Sequence, residues 1–558
     1  MITSATVVSM AGLAPATRRS LDLADAALTA AGVTVTRVDV PELGLPDRDD
    51  VSVAESFSAT PGTLMESWRI ARHLDASTEP GDLVVVPDEQ GFGGVFALAQ
   101  AMALGAQQRE VWTVAGSGTS LTALDTVGTI EGFDEEVTSA VDWEIVQYRF
   151  SARVLTTSPA AVGHLATLGV ETCLLPVTPR AGGVRPVGPV FGLPEAAARH
   201  NHTLAALRGL AGQEVVVSTE TQEDAIWTGT TLDTVRAWAA HRPGVTFGDT
   251  RDVDTPVLGN AFAPLPDGFR PDSVIVRAAS TAARQLPDAP EWSDEDDLAR
   301  LVSSRPASRA PVPSVTLPAR VGLPREVARA TRISVGIPVY RNVTYLDEAI
   351  NSILDQTEPV HELLLYDDGS DSSEVTDALA AWEARDRRIR AMSGPNRGVC
   401  VARNAILEAM AGDAFFLIDS DDIAEPVLLE ACATALRANA DLVAVATWTR
   451  FFGFYNGIEA KPPYDRRVGL RENPIISTGA LIDMSVRDAG TRFVADLAFL
   501  YCEDWQFWSQ IVAAGGHFGL VPEPLIRHRA HEQSGATRRT AQAQTVGRAR
   551  AVEPLLGS

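Results

Sequence analysis

The chain has little lysine and an excess of acidic residues. Lys461 is the only lysine, so arginine supplies almost all of the 47 basic residues. The 72 acidic residues leave a formal net charge of −25 at pH 7. A surface of that sign repels phosphate backbones, which argues against a general nucleic-acid-binding protein, and we expect no nucleic-acid partner.

Cysteines and long apolar runs are also scarce. No apolar run is long enough to span a bilayer, and Met1–Val8 lacks the basic segment that opens a signal peptide. The four cysteines form no C-x-x-C pair, which argues against a structural zinc site and a disulfide framework. They are Cys173, Cys400, Cys432 and Cys502. We therefore expect a reduced, cytoplasmic protein without a transmembrane segment.

What remains is ordinary globular composition, with 45% apolar and 21% charged residues. A chain of 558 residues predicts two or three domains. Five prolines between Ser303 and Arg325 disfavour helix and predict an extended linker. We predict, in order, a Rossmann-like α/β domain, a second α/β unit, the proline-rich linker, a third α/β domain and a basic tail. Their limits are 1–185, 186–302, 303–330, 331–535 and 536–558.

Apolar strand-like runs alternate with helix-like runs on both sides of the linker, which predicts doubly wound parallel sheets. Before the linker we predict strands at Ala5–Ser9, Val33–Val40, Leu83–Val86, Val111–Val114, Arg153–Thr157, Glu214–Ser218 and Ser273–Arg277. The helices predicted there are Ala16–Ala31, Gly62–Leu74, Gly94–Leu104, Pro159–Leu168, Glu195–Leu210 and Thr231–Ala240. After it, we predict strands at Ile333–Val339, Glu362–Tyr366, Ile389–Ser393, Ala414–Ile418 and Leu442–Thr447, and helices at Thr344–Gln356, Ser373–Asp386, Gly398–Ala411 and Pro426–Asn439.

The most informative cluster is Asp419-Ser420-Asp421-Asp422, directly after a predicted strand of the third domain. Three carboxylates within four residues repel one another unless a cation lies among them. Oxygen ligands favour Mg²⁺ or Mn²⁺ over zinc. The alternative is that Asp421 or Asp422 caps the helix near Pro426, although a cap uses one carboxylate and leaves the other two unexplained.

Two more loops at strand ends carry polar side chains, and open α/β sheets bind ligands there. Asp367-Asp368-Gly369-Ser370 is either an ordinary turn or a carboxylate that accepts a hydrogen bond from a nucleobase. The loop Asn396–Asn404 either starts a helix or contributes to the same site.

Two late segments add titratable groups. Glu503 and Asp504 open a predicted helix, where they are either favourable first-turn charges or include a general base for an acceptor hydroxyl. His528 and His531 lie close together in Arg527–Ser534. Such histidines are either structural or ligands beside a carboxylate–metal site.

Taken in order, six segments resemble family 2 glycosyltransferases of the GT-A fold over residues 331–535: IPVYRN, DDGSDSS, NRGVCVARN, FFLIDSDD, CEDWQFW and RHRAHEQS. The resemblance implies a nucleotide-sugar-binding domain that transfers a sugar, with inversion, from a nucleoside-diphosphate sugar to a hydroxyl acceptor. A UDP-sugar donor is favoured, with Mn²⁺ or Mg²⁺ as cofactor. The expected process is the synthesis of a bacterial glycan, polysaccharide or glycoconjugate.

The resemblance also implies roles on the donor side. Pro338 and Tyr340 shape the nucleoside pocket, and Asp367 or Asp368 reads the base. Arg403 lies near the nucleotide.

The remaining roles concern the metal and the chemistry. Asp419 and Asp421 form a D-x-D motif, in which Asp421 binds the metal and Asp419 lies nearer the ribose. His531 corresponds to a late metal-ligand or diphosphate position. Asp504 corresponds to the catalytic base, with Glu503 beside it.

The region before the linker has a fainter resemblance. Leu83–Gly94 and Val154–Leu175 resemble the Rossmann-like half of GT-B glycosyltransferases, and a generic doubly wound domain is the alternative. The alternative functions for the chain are a non-catalytic nucleotide-sugar- or glycan-binding protein and a sugar-nucleotidyltransferase. The acceptor is expected to be a glycan, a lipid-linked molecule or a protein. The arginine-rich tail predicts either peripheral contact with anionic lipid at the inner membrane face or a solvated, partly helical segment.

Overall fold

The structure is a computed structural model. It describes residues 4–10, 15–40, 62–79, 82–88, 91–104, 108–115, 135–156, 161–162, 165–166, 168–174, 190–191, 215–218, 245–248, 257–258, 274–277, 291–292, 332–341, 343–454, 456–475, 478–495, 502–531 and 541–556.

The chain divides into two compact units. The first is built mainly from residues up to Leu323, and the second mainly from Pro324–Ser558. The predicted helices Glu195–Leu210 and Thr231–Ala240 and the linker lie outside the described residues. The five domain limits stay predictions.

The first unit begins with a parallel sheet, whose six described strands have the order β2-β1-β3-β4-β5-β6. Its elements are β1 (Ser4–Met10), α1 (Pro15–Ala30), β2 (Thr34–Val40), α2 (Gly62–Ser77), β3 (Leu83–Pro87), α3 (Gly94–Ala101), β4 (Glu110–Ala115), α4 (Glu135–Phe150), β5 (Arg153–Thr156) and β6 (Thr172–Leu174). Strands β3 and β4 are buried along their whole length, as expected in a parallel sheet covered on both faces. The predicted α/β class is confirmed here.

A second parallel sheet follows within the same unit. It contains β7 (Val190–Phe191), β8 (Val215–Ser218), β9 (Val245–Gly248), β10 (Val257–Leu258), β11 (Val274–Arg277) and β12 (Glu291–Trp292). Over the described residues its order is β12-β11-β10-β7-β8-β9, which is again a doubly wound arrangement.

Helix α4 has no counterpart among the predicted helices. Its middle is buried on all sides and includes Asp142, Glu144 and Gln147, which are 3%, 0% and 0% exposed. Polar residues on buried faces remove the apolar stripe by which a helix is recognised in a sequence.

The glycine-rich loop after β3 packs tightly against α4. A Cβ on Gly91 would lie 2.6 Å from the backbone of Trp143, and one on Gly94 would lie 2.7 Å from the Trp143 carbonyl oxygen. Gln147 Nε2 also donates to the carbonyl oxygen of Pro87, 2.7 Å away. Close helix packing therefore accounts for these glycines, and the resemblance of this unit to GT-B enzymes stays a prediction.

The second unit is built on a sheet of nine described strands in the order β15-β14-β13-β16-β20-β18-β21-β17, with β19 paired to β18. Strands β15, β14, β13 and β16 are parallel, and β20 is antiparallel to both of its neighbours. The first elements are β13 (Ile333–Val339), α5 (Leu346–Leu354), β14 (Glu362–Asp367), α6 (Ser373–Arg385), β15 (Ile389–Ser393), α7 (Val399–Ala409), β16 (Ala414–Leu417), β17 (Ile423–Ala424) and α8 (Leu428–Ala438). The remainder are β18 (Leu442–Gly453), β19 (Gly457–Glu459), α9 (Arg466–Arg471), β20 (Ala480–Asp483), α10 (Met484–Asp488), α11 (Glu503–Ala513), β21 (His517–Ala530) and α12 (Ala541–Leu556).

Most predicted elements of this unit are confirmed, with strand ends within one residue, except that β18 continues beyond Thr447 to Gly453. Strand β21 was not predicted, because Pro522 and Pro524 interrupt its apolar pattern. The β18–β21 register jumps at this point, so the prolines lie where ladder hydrogen bonds are already broken.

Helix α7 lies against β13 because Gly336 leaves room for it. A Cβ at this position would be 2.3 Å from Ile406 Cγ2. This close packing against β13 fixes the position of α7, which carries Arg403.

The end of the chain forms helix α12. Ala551 and Leu555 are fully buried, and the main-chain oxygen of Leu555 accepts from Arg466 Nε of α9 at 3.0 Å. The expected helix is confirmed, but the expectation that it is solvated is wrong for this face, because small and apolar side chains pack it onto the unit. No described helix is long and apolar enough to cross a membrane.

Candidate active site

The predicted donor-side residues follow three neighbouring strands at one edge of the sheet. Val339 of β13 pairs with Asp367 of β14, while Gly336 pairs with Leu417 at the end of β16. Because these strands are parallel, their carboxyl ends meet at this edge, which is where open α/β sheets bind ligands.

Asp367 is fixed in a tight turn. Its Oδ1 accepts hydrogen bonds from the amide of Ser370, at 2.9 Å, and from the Ser370 hydroxyl. Ser370 Oγ in turn accepts from the Arg341 amide at 2.8 Å, which ties the turn to the end of β13. Oδ2 of Asp367 has no hydrogen-bond partner within the described chain, so one oxygen of this carboxylate is available to a ligand.

Asp368 is occupied by backbone groups. Its oxygens accept from the amides of Arg397 and Gly398 at 3.0 and 2.9 Å, and the residue is 4% exposed. It therefore holds the loop that leads into α7. Two carboxylates were predicted to contact a base. Among the described residues, both oxygens of Asp368 accept hydrogen bonds, whereas Oδ2 of Asp367 accepts none.

The end of β13 presents an aromatic ring. Pro338 is half-buried, and Tyr340 is 41% exposed, with the Arg341 guanidinium 4.9 Å from its ring centroid. Arg341 has φ of 59°, the left-handed region, which turns the chain sharply after the strand. An exposed ring at this edge offers a stacking surface for a planar ligand.

Arg403 is buried between two carboxylates. Its side chain is 5% exposed, with one terminal nitrogen 2.8 Å from Asp419 Oδ1 and the other 3.0 Å from Glu503 Oε1. Burial lowers the pKa of Arg403, but attraction to Asp419 and Glu503 outweighs burial and raises the pKa above its ordinary value. The structure therefore assigns this guanidinium to a bridge between α11 and the turn after β16.

Residues Asp419–Asp422 form this turn, called the acidic turn below. Asp421 Oδ2 lies 2.8 Å from His531 Nε2, so the predicted metal residues meet although they are 110 positions apart. Burial, followed by repulsion from Asp422 and Asp419, raises the pKa of Asp421. This excess of negative charge is one that a cation would relieve.

The donor set suits an ion shared with a ligand rather than one enclosed by protein. Among the described residues no group of three or more His, Cys, Asp or Glu side chains is arranged for a metal. Asp421 and His531, 2.8 Å apart, could supply two ligands. Mg²⁺ is commonly held by one or two carboxylates together with substrate phosphates, which matches such an incomplete set.

Asp504 is oriented at the start of α11. Its Oδ2 accepts from Asn473 Nδ2 at 3.1 Å, and its Oδ1 accepts from the Trp505 amide at 2.7 Å. The Trp505 indole donates to the carbonyl oxygen of Gly469, 2.9 Å away, which anchors this end of α11 to α9. Glu503, in contrast, is committed to Arg403 through Oε1.

The structure also shows residues that the sequence-based predictions missed. Asp422 is fully buried, with Oδ2 3.0 Å from His528 Nδ1 and Oδ1 accepting from the Arg529 amide at 3.1 Å. Burial lowers the pKa of His528, but the attraction of Asp422 more than reverses this and raises the pKa to about 9. Only the clustering of acids and histidines in the sequence hinted at this pair.

The helix-cap alternative for the acidic turn is wrong. The N-cap of α8 is Val427, and β17 lies between the turn and that helix. Asp422 instead pairs with β21, and Asp421 pairs with His531.

A mixed sheet with an acidic turn after a central parallel strand, and an oriented carboxylate on a later helix, is the architecture of a GT-A glycosyltransferase. Residues 334–487 match the model of Glycosyl transferase family 2, so the second unit carries a domain of this family. The predicted resemblance is thereby confirmed.

Curated relatives match parts of the chain. An uncharacterized glycosyltransferase of Haemophilus influenzae is 28% identical over 215 residues, which cover 36% of this chain and 65% of the relative. The hyaluronan synthase of Pasteurella multocida is 30% identical over 124 residues, covering 22% of this chain and 13% of the synthase. The chain thus spans less than two thirds of the length of these relatives.

Solved structures also match part of the chain. One is Staphylococcus aureus TarS 1-349 in complex with UDP-GlcNAc, with 18% identity and a TM-score of 0.33, over 38% of this chain and 62% of that one.

Proposed function

We propose that the second unit is a metal-dependent, inverting glycosyltransferase that moves a sugar from a UDP-sugar to a hydroxyl acceptor in the synthesis of a bacterial glycan or glycoconjugate. The observation that supports this most is the link between Asp419 of the acidic turn and the start of α11, where Asp504 lies. Arg403 makes that link through ion pairs of 2.8 and 3.0 Å.

On the donor side, Pro338 and Tyr340 would flank the nucleobase, and Asp367 Oδ2 would accept a hydrogen bond from a base N–H. Uracil presents such a donor on its ring, and the ring of Tyr340 is exposed for stacking. This combination supports a uridine nucleotide as the donor. Asp368 and Arg403 would act indirectly, by holding the neighbouring loops in place.

Asp421 and His531 would hold Mn²⁺ or Mg²⁺, with Asp419 between this pair and Arg403. The bound ion would supply positive charge to the diphosphate as it leaves. The chain's own part is to hold a carboxylate and an imidazole together beside the end of β16. Both groups would then already be in place when the charged diphosphate of the donor binds.

Asp504 would accept the proton of the acceptor hydroxyl. Asn473 and the Trp505 amide bind one oxygen each, which fixes the orientation of the carboxylate. Glu503 is paired with Arg403, which disfavours it as a nucleophile and supports a single displacement with inversion.

The test is to incubate the full chain with a panel of nucleotide sugars, with and without Mn²⁺ or Mg²⁺, and to measure released nucleoside diphosphate. We expect metal-dependent release of UDP, and Asp504→Asn should abolish turnover while donor binding is kept. Asp377→Asn, an exposed aspartate on α6, is the matched control and should behave as the wild type.

Other outcomes would favour the rival functions. Release of pyrophosphate would indicate a sugar-nucleotidyltransferase, and thermal stabilisation by donors without turnover would indicate a non-catalytic binding protein. Equal loss of binding and turnover in Asp504→Asn would remove Asp504 from the role of base.

The proposal also covers where the enzyme works and on what. We place it in the cytoplasm, with a glycan, lipid-linked or protein acceptor. Helix α12 exposes Arg548 and Arg550, which would approach anionic lipid at the inner membrane face. Flotation with anionic vesicles at low and high salt tests this contact; failure to float at low salt would contradict it.

A further inference from the structure

The third carboxylate of the acidic turn is used differently from the first two. Asp422 is 0% exposed, and an ionised carboxylate so deeply buried must be paired and hydrogen-bonded. Both of its partners, His528 Nδ1 at 3.0 Å and the Arg529 amide at 3.1 Å, belong to β21. Asp422 therefore contacts β21, and its carboxylate is not directed at a ligand.

The side chain of Arg529 also contacts the acidic turn. Its Nε donates to the main-chain oxygen of Asp421 at 3.1 Å, and a terminal nitrogen lies 2.8 Å from Glu348 of α5. The guanidinium carbon is 4.1 Å from the ring centroid of Tyr345 and 4.5 Å from that of Phe452. Two aromatic faces and two polar partners thus hold this planar group.

Together these contacts join two short segments at several points. Residues 421 and 422 contact residues 528 and 529 as described, and Asp421 also contacts His531. Ile423 of β17 continues the pairing with Arg527 in an antiparallel ladder. A slip of one residue along β21 would turn His528 and Arg529 to the opposite faces of the strand and would displace His531, which directly follows the strand, from Asp421.

We propose that Asp422 and Arg529 are positioning residues, which fix the register between the acidic turn and β21 so that Asp421 and His531 meet at the metal position. The proposal rests on the proposed function in taking Asp421 and His531 as the metal pair. Asp422 and Arg529 themselves contact neither metal nor donor; they act through the residues beside them.

The first experiment measures metal binding in the full chain by titrating Mn²⁺ in the presence of UDP, with calorimetry and the electron paramagnetic resonance signal of bound Mn²⁺. Loss of groups that orient metal ligands typically weakens metal affinity about tenfold to hundredfold. We expect shifts of this size in Asp422→Asn and Arg529→Lys, with turnover largely recovered at saturating Mn²⁺. Asp421→Ala should not recover at any Mn²⁺ concentration.

Arg527→Lys is the matched control. Arg527 lies on the same strand and over the same Phe452 ring, at 4.8 Å, but its side chain is not bonded to residues 421 or 422. It should keep the wild-type affinity for Mn²⁺. Equal affinities in Asp422→Asn, Arg529→Lys and Arg527→Lys would overturn the proposal, as would a turnover defect that saturating Mn²⁺ does not reduce.

A second experiment needs neither metal nor turnover. Hydrogen–deuterium exchange of the β21 peptide that contains the Arg529 amide should quicken in Asp422→Asn, since that amide donates to Asp422, and stay unchanged in Arg527→Lys. If the wild type binds no Mn²⁺, the metal part of the proposed function fails and exchange alone decides the register role. Unchanged exchange in Asp422→Asn would then refute it.

Discussion

Replacing Arg403 by Met tests whether the buried bridge between the acidic turn and α11 stabilises the second unit. The change keeps much of the side-chain volume but removes the guanidinium that lies 2.8 Å from Asp419 and 3.0 Å from Glu503. Breaking a buried ion pair by removing one partner costs about 3–5 kcal/mol, because the remaining charge stays buried. Asp419 is 29% exposed and regains some water, so we expect a cost near the lower limit.

For a unit of this size, about 3 kcal/mol corresponds to a fall of about 6–12 °C in the midpoint of thermal unfolding. Differential scanning calorimetry of the full chain should show this fall in the transition of the second unit. Arg403→Lys keeps the charge but not the two-pronged geometry, so we expect roughly half of the effect. Arginine is protonated at neutral pH in the unfolded state, and the folded state raises the pKa of Arg403 further, so the loss should not vary with pH in that range.

The control is Arg390→Met, an exposed arginine that donates to the carbonyl oxygen of Ala409. Surface changes of this kind are worth within about 0.5 kcal/mol, or about 2 °C. A midpoint for Arg403→Met within that range of the wild type would refute the bridge. Retained turnover in a destabilised variant would show that the bridge supports the fold but not the chemistry.

Two further predictions concern binding and pH. Asp367→Ala should weaken UDP binding by roughly 1.5–3 kcal/mol, the value of a hydrogen bond to a charged group, and calorimetric titration with UDP would measure it; an unchanged Kd would remove Asp367 from the base contact. The pKa of His528 is raised from 6.5 to about 9, so the folded state binds this proton more tightly than the unfolded state does. The contribution of this proton to stability is therefore complete below about pH 6.5 and is lost as the pH rises through about 9. The loss should approach about 3 kcal/mol in a series of unfolding measurements across this range, and His528→Gln should flatten the profile; an equally steep profile in that variant would contradict the assignment.

The polar edge of the sheet was predictable because its signals are local. Parallel strands with continuous apolar runs end at polar residues, so Tyr340, Asp367 and Asp419 were expected at one edge of the sheet from the sequence around each. Asp504 was likewise visible as an acid at the start of a helix. Residues placed by such patterns depend only on neighbours in the chain.

The supporting contacts depend on tertiary structure and left weaker signals. Asp421 and Asp422 are adjacent and of the same type, yet one meets His531 and the other His528, each more than a hundred positions away. Strand β21 carries His528 and ends directly before His531, and it was hidden in the sequence by the interruption at Pro522 and Pro524.

Burial explains why these supports are ionic. Asp422 in the acidic turn is fully buried, and an isolated buried charge would destabilise the fold. Arg403 relieves Asp419 on the side of α11, and His528 relieves Asp422 on the side of β21. Buried ion pairs contribute little net stability compared with apolar packing, but they are costly to mispair, so they favour one register over its alternatives. In the sequence, the two paired carboxylates Asp419 and Asp422 flank Asp421. Both ion pairs therefore contribute to fixing the position of the Asp421 carboxylate.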